Sequence, residues 1–177
     1  MRKEYGKLVK QTLSDRLKQL HPTIVRLRLN LIRGDVAYSI PTSSPHISGY
    51  LVLVQDHHGR DQFTIEIGWS AMSRFPDLPM RPSGRASSER VEFQEEEFIC
   101  RLRSVWSVKD YWWGQDDPGG SRNGFATIFE EMKYRQEDGL NWQMRAAKHA
   151  ADAVDEFNRF GIAYLDEFFA SRQVCRA

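Results

Sequence analysis

The sequence predicts an α+β fold: a mostly antiparallel sheet of about five strands, with an N-terminal helix and C-terminal helices packed on it. Three observations carry this. In Gln62–Trp69, Phe63, Ile65, Ile67 and Trp69 alternate with Gln62, Thr64, Glu66 and Gly68. Side chains on a strand point to opposite faces in turn, so this is a strand with one buried face. Just before it, Tyr50–Gln55 is apolar at nearly every position, as expected of a strand covered on both faces. Finally, the strand patterns come as a run and the helical patterns follow, an order that favours α+β over alternating βαβ units.

Taken in order, the chain opens on an amphipathic helix. Tyr5, Leu8, Val9, Thr12, Leu13, Arg16, Leu17 and Leu20 recur at helical spacing, with Lys3, Lys7, Lys10, Asp15 and Lys18 mostly opposite. Pro22 disfavours helical geometry at His21 and sets the stop. Ile24–Asn30 then alternates, with Val25, Leu27 and Leu29 on one face. Asp35–Ile40 repeats the pattern after an Arg33-Gly34-Asp35 turn, giving a first hairpin. Pro41–Ser48 is a loop into the central hairpin, whose turn is the polar stretch Asp56–Asp61.

Beyond Trp69, three prolines at 76, 79 and 82 rule out a continuing strand, and Ser70–Ser88 reads as a long loop. Glu89–Glu97 reads as a solvated acidic edge or turn. Phe98–Trp106 is a further strand, with Phe98, Cys100, Leu102 and Trp106 on one face and Ile99, Arg101, Arg103 and Val105 on the other. Phe125, Ile128, Phe129 and Met132 suggest a short helix. Trp142, Ala146, Ala150, Ala153, Val154 and Phe157 line a longer one, capped by Gly161, and Ile162, Leu165, Phe168 and Phe169 form a last one. No internal repeat or linker divides residues 1–177, which read as a single domain.

Bulk properties narrow the function classes. A 41% hydrophobic, 28% charged chain of 177 residues is globular and can bury a real core. A net charge of +1 makes nucleic acid an unlikely partner, since such binders carry a strong basic excess. Met1–Gly34 does hold nine basic residues against Glu4 and Asp15, enough to meet an acidic partner or to balance Glu89–Glu97. Two cysteines, Cys100 and Cys175, are too few for a disulfide scaffold. With no signal-peptide run at the start and no long apolar stretch, the expected setting is the cytoplasm, without membrane contact.

Catalytic signatures are sparse. Asp56, His57, His58 and Asp61 crowd one turn and are residue types that bind zinc, but no second ligand cluster accompanies them. HExxH, CxxC, GxSxG and a phosphate-binding glycine loop are all missing from the sequence. No metal or cofactor is expected. The candidate partner-binding residues are Arg101, Arg103, Tyr111, Trp112 and Trp113. Two arginines at alternate strand positions can grip an anionic group, and Tyr and Trp are enriched at binding hot spots. The alternatives are cross-strand pairing of the arginines with Glu66 or Glu92 and inward-facing aromatics. Adjacent tryptophans on extended backbone cannot both face one core, so one should be partly accessible.

Several segments together resemble an uncharacterised bacterial family, domain of unknown function 4304. They are the helix Tyr5–Leu20, the strand Leu51–Gln55 with its terminal Gln, and Phe63–Gly68 ending Ile67-Gly68. Cys100-Arg101-Leu102-Arg103, Trp112-Trp113, and Gly161 followed by Leu165 complete the pattern. The resemblance implies an α+β domain with no assigned activity. Some small domains of this general kind resemble immunity or antitoxin proteins that bind a toxin. The leading expectation is therefore a non-enzymatic protein-binding module of the immunity or antitoxin type. The alternative is a small metal-dependent hydrolase or nuclease using Asp56, His57, His58 or Glu66.

Overall fold

A computed structural model describes residues 3–29, 31, 34–56, 58, 60–72, 74–76, 92–93, 97–107, 111–115, 128–137, 139 and 141–174. The expected α+β architecture is present. Helix α1 (Lys3–Leu20) leads into an antiparallel sheet of β1 (Val25–Arg26), β2 (Val36–Ile40), β3 (Ser48–Gln55), β4 (Phe63–Ser70), β5 (Glu92–Phe93) and β6 (Glu97–Arg101). A 3₁₀ turn (Leu102–Val105) follows directly. Then come α2 (Ile128–Glu137), α3 (Asn141–Glu156), a π turn (Phe157–Gly161) and α4 (Ile162–Val174). The strand order is β1-β2-β3-β4-β6-β5.

The alternation in β4 settles which face meets the helices. Phe63, Ile65, Ile67 and Trp69 share one buried cluster with Tyr5, Val9, Leu13 and Leu17 of α1 and with Ala146, Ala150, Ala153 and Val154 of α3. The alanines leave room for α1 and α3 to approach closely, and Arg16 clamps the pair outside by donating to Asp155 at 2.7 Å. Ile65→Ala should thus leave a cavity and cost about 2–5 kcal/mol, read by urea denaturation. A loss below ~1 kcal/mol would mean that this face of β4 is not the core face.

The opposite face of the sheet is also closed. Ala37, Val52, Val54 and Ile99 form a second buried cluster, flanked by Leu27, Leu31, Phe75 and Trp112. β3 is accordingly buried on both sides, as its continuous apolar run predicts. Glu66 sits in this face, opposite Arg101 in the β4–β6 register. Both are buried. Burial pulls the Arg101 guanidinium down from its ordinary value, and the Glu66 carboxylate pulls it partly back.

Several expectations are corrected. The sheet of about five strands is present with one short addition at its edge: Glu92–Phe93, inside the stretch read as an acidic edge or turn, pairs with β6 as a sixth, two-residue strand. Glu97 of that stretch is buried and accepts from the Ser70 hydroxyl at 3.0 Å. The first strand is only two residues long. Leu27 N–H donates to Ala37 O and Leu27 packs against the second cluster, whereas Val25 and Leu29, expected on the same face, are exposed. Phe129 and Met132 of α2 are exposed rather than core, Phe129 at 78%. Gly161 does not cap α3: the helical backbone runs through the π turn into α4. A Cβ there would come within 2.6 Å of Phe157 Cδ2 and 3.0 Å of Leu102 Cδ1, so the glycine serves close approach of the 3₁₀ turn. Most of the Ser70–Ser88 loop, Phe125 and Cys175 lie outside the described residues.

Candidate functional site

The site is assembled where β6 ends. Arg101 is still extended, with φ −70° and ψ 138°, but Leu102–Val105 winds into a 3₁₀ turn. The Ser104 hydroxyl donates to Arg101 O at 2.7 Å, and Ser107 N–H donates to Arg103 O at 2.8 Å. Strand alternation therefore stops at Arg101. The two arginines, expected side by side, go to opposite faces of the sheet. Arg101 lies 5.3 Å from the centre of the Trp112 ring, on the second face. Arg103 lies 3.5 Å over Tyr111 and 5.5 Å over Trp113, on the helix side. Val105, expected on the Arg101 face, instead lies against the main core.

Arg103 is fixed by α3. Its Nε donates to Glu156 Oε2 at 2.8 Å and its Nη2 donates to Glu156 Oε1. Two parallel N–H donors to one carboxylate give a directional, charge-assisted pair. Residues three apart eclipse on a 3₁₀ turn, so Trp106 lies beside Arg103, and its ring stacks on Phe160 at 4.2 Å and 23°. Glu156 and Phe160 are four apart along the helical backbone, so the ion pair and the aromatic stack run side by side across one interface. The Arg159 guanidinium lies 4.8 Å over Phe160. Trp106 is 37% exposed.

The aromatic dipeptide divides as extended backbone requires. Trp113 exchanges backbone hydrogen bonds with Phe63 at 2.8 and 3.1 Å, and its indole stacks on the Phe63 ring at 5.6 Å and 15°. Trp113, a candidate partner-binding residue, is buried in the main core, the inward-facing alternative. Trp112 points the other way and is half-buried against the second cluster. Gly114, at φ +93°, then turns the chain where a Cβ would overlap the Asp61 carbonyl oxygen and crowd Tyr5 Oη at 3.2 Å.

Between this segment and α3 lies a cleft of about 460 Å³, lined by Arg103, Tyr111, Trp113, Gly114 and an α3 stripe from Lys148 to Glu156. His149 of the stripe has its Nδ1 2.9 Å from the Tyr5 hydroxyl. Lys148 pairs with Asp152 at 3.1 Å, and Asp155 with Arg16. Trp106, expected on the strand face of Phe98, Cys100 and Leu102, is instead exposed and stacked on Phe160, and Lys148, His149, Asp152, Asp155 and Phe160 are not among the expected site residues. A readable signal for the α3 members did exist: 148, 149, 152, 155 and 156 form the polar stripe beside the alanine face.

In the Asp56 turn the carboxylate is engaged by its own hairpin. Asp56 Oδ2 accepts from His58 N–H and Arg60 N–H, both at 2.9 Å, and Oδ1 accepts from Gln62 Nε2 at 3.0 Å. Its carboxylate thus holds the hairpin turn closed. His58 is exposed, and His57 lies outside the described residues. Among the described residues, no three His, Cys, Asp or Glu side chains are grouped to hold a metal ion. Likewise, no described helix is long and apolar enough to cross a membrane. Fold and site together define an α+β sheet-and-helix protein with a charged, aromatic-lined cleft at one end of the sheet. Comparison with family models, curated proteins and solved structures found no match to this chain.

Proposed function

We propose that the protein is a non-enzymatic protein-binding module of the cytoplasm, and that it meets its partner at the Trp106–Phe160 stack and the adjoining Arg103–Tyr111 rim. The observation that carries this reading is the partly exposed Trp106, held in a fixed orientation by Phe160 and bordered by Arg159 and Arg103. Rigid Trp, Tyr and Arg side chains beside a cleft are the residue types on which interface energy concentrates. The resemblance to domain of unknown function 4304 and to immunity or antitoxin proteins belongs to the same proposal, with a toxin as the partner class. The hydrolase reading has less support, because the carboxylate of Asp56 is engaged by three donors of its own turn.

Affinity capture from the native host, followed by titration with the captured protein, tests the proposal. Trp106→Ala should weaken that binding by about 2 kcal/mol or more, while stability moves by less than ~1 kcal/mol because the ring is partly exposed. Stability falling by several kcal/mol at unchanged affinity would place Trp106 in the structural framework instead. His57→Ala with His58→Ala should leave binding intact; a hydrolytic activity lost in that double variant would promote the enzyme reading.

A further inference from the structure

Among the described residues, β1 is the last strand on its side of the sheet, paired with β2 alone. Both of its residues are exposed. Leu27 N–H donates to Ala37 O, and Val25 stands opposite Ser39 in the same register. In an antiparallel ladder, every second residue bonds to the neighbouring strand and those between turn their N–H and C=O away from it. Arg26, opposite Tyr38, is one of the latter. Its backbone donor and acceptor therefore point to the open side of the sheet, and Arg28 is next in that phase. Such an edge is a template for one more strand.

The side chains restrict which strand can be added. Arg26 lies on the helix side, close to Lys10 of α1. Burial and the Arg26 guanidinium lower the Lys10 ammonium from its ordinary value, and Asp35 raises it back by less. Two carboxylates share this corner, Asp35 and Asp15. Both are engaged: Asp35 accepts from Gln55 N–H at 3.0 Å and Asp15 from Gln11 Nε2 at 2.9 Å. Among the described residues, Lys10, Arg26 and Arg28 enter no ion pair. On the other face, Leu27 packs against the second cluster, while Val25, on the same side by alternation, is 60% exposed and Leu29 41%. An added strand thus meets cations on one face and uncovered apolar side chains on the other. The same edge of a second copy would set these arginines against their own counterparts, and like charges directly opposite are destabilising.

We infer that the β1 edge takes up an extended segment of a partner protein in which acidic residues alternate with apolar ones. The segment's backbone exchanges hydrogen bonds with Arg26. Its carboxylates lie on the helix side against Arg26 and Lys10, and its apolar side chains lie against Val25 and Leu29. β2, β3 and β4 stand between β1 and β6, so this interface is separate from the Trp106 surface and does not rest on it.

The test is a titration of the full chain with capped synthetic peptides, followed by the backbone amide resonances. The probe alternates Val and Glu. A second peptide has Lys in place of Glu. A third is the Val-Glu peptide with its amides N-methylated, which keeps the charges and removes the donors. The Val-Glu peptide should shift the Arg26 amide resonance saturably and slow its hydrogen exchange. The Lys peptide should bind about tenfold or more weakly, because like charges then face each other. The methylated peptide should leave exchange at Arg26 unslowed. Arg26→Glu, a change at an exposed position, should weaken the Val-Glu peptide by about tenfold or more and favour the Lys peptide. Should that variant not fold, the two peptides on the native chain carry the same comparison. No saturable change at Arg26, or a Lys peptide that binds as well as the Val-Glu peptide, would overturn the inference. Equal protection of Arg26 by the methylated peptide would overturn strand addition. A dimer of the chain alone that already protects the Arg26 amide would overturn the partner assignment in favour of a second copy.

Discussion

Trp113→Ala is expected to destabilise the fold by about 3–5 kcal/mol, the usual loss for a fully buried large aromatic. The indole is a structural element at three levels. Its backbone closes a two-hydrogen-bond bridge to Phe63, the first residue of β4. Its ring stacks on the Phe63 ring and receives Tyr111 edge-on at 5.6 Å and 87°. It also lies 5.5 Å beneath the Arg103 guanidinium. Truncation removes the apolar burial and these ring contacts together, and it opens a void beside Phe63 that neighbouring strands cannot close. Chemical denaturation followed by circular dichroism reads the loss. Trp113→Phe, which retains most of the apolar volume, should lose far less than the alanine variant. A Trp113→Ala loss below ~1 kcal/mol would show that the ring is not the anchor of the Tyr111–Gly114 segment.

Gly68→Ala should be nearly as damaging, about 3 kcal/mol or more, although it adds a single methyl group. Gly68 sits in the middle of β4, opposite Ile99 of β6. A Cβ at this position would overlap the Phe98 carbonyl oxygen and lie 3.0 Å from Ile99 Cα. These are backbone atoms of a paired strand, so no side-chain rotation relieves the clash. Relief requires β6 to move away from β4, and β6 carries Arg101 and leads into the 3₁₀ turn that aims Arg103 and Trp106. Gly68→Ala should therefore also broaden or shift the resonances of Trp106 and of the Arg103 side chain. By contrast, an exposed Gly→Ala exchange of compatible backbone is normally neutral or mildly stabilising. A melting temperature unchanged from the native chain would mean that β4 and β6 approach less closely than the structure shows.

Periodicity along the chain was enough to predict what is local. The alternation of Phe63, Ile65, Ile67 and Trp69 identified β4 and its core face, because pleat geometry has a period of two whatever lies above the sheet. The stripe Tyr5, Val9, Leu13 and Leu17 identified α1, and Ala146, Ala150, Ala153 and Val154 identified the inner face of α3. The rule that neighbouring residues on extended backbone diverge separated Trp112 from Trp113, although it left open which ring was buried. The candidate site was partly legible for the same reason. Arg103, Tyr111 and Trp113 do meet on one side of the molecule.

Tertiary structure decided the rest. Nothing local marks the switch from strand to 3₁₀ turn at Leu102, which sends Arg101 and Arg103 to opposite faces. Arg103 turns toward Glu156, a partner 53 residues away in sequence. Gly161 looks like a helix cap in the sequence, and only the proximity of Leu102 and Phe157 shows that it makes room for a helix–turn contact. Phe129 and Met132 fit a buried stripe by spacing, yet both are exposed among the described residues. The cleft belongs to this second category as well, because its two walls come from distant segments that are both positioned by packing on the sheet. Periodicity states which side of an element is apolar. It carries no information about which distant element arrives on the other side, and that is set by long-range contacts formed only when the whole sheet and its helices are in place.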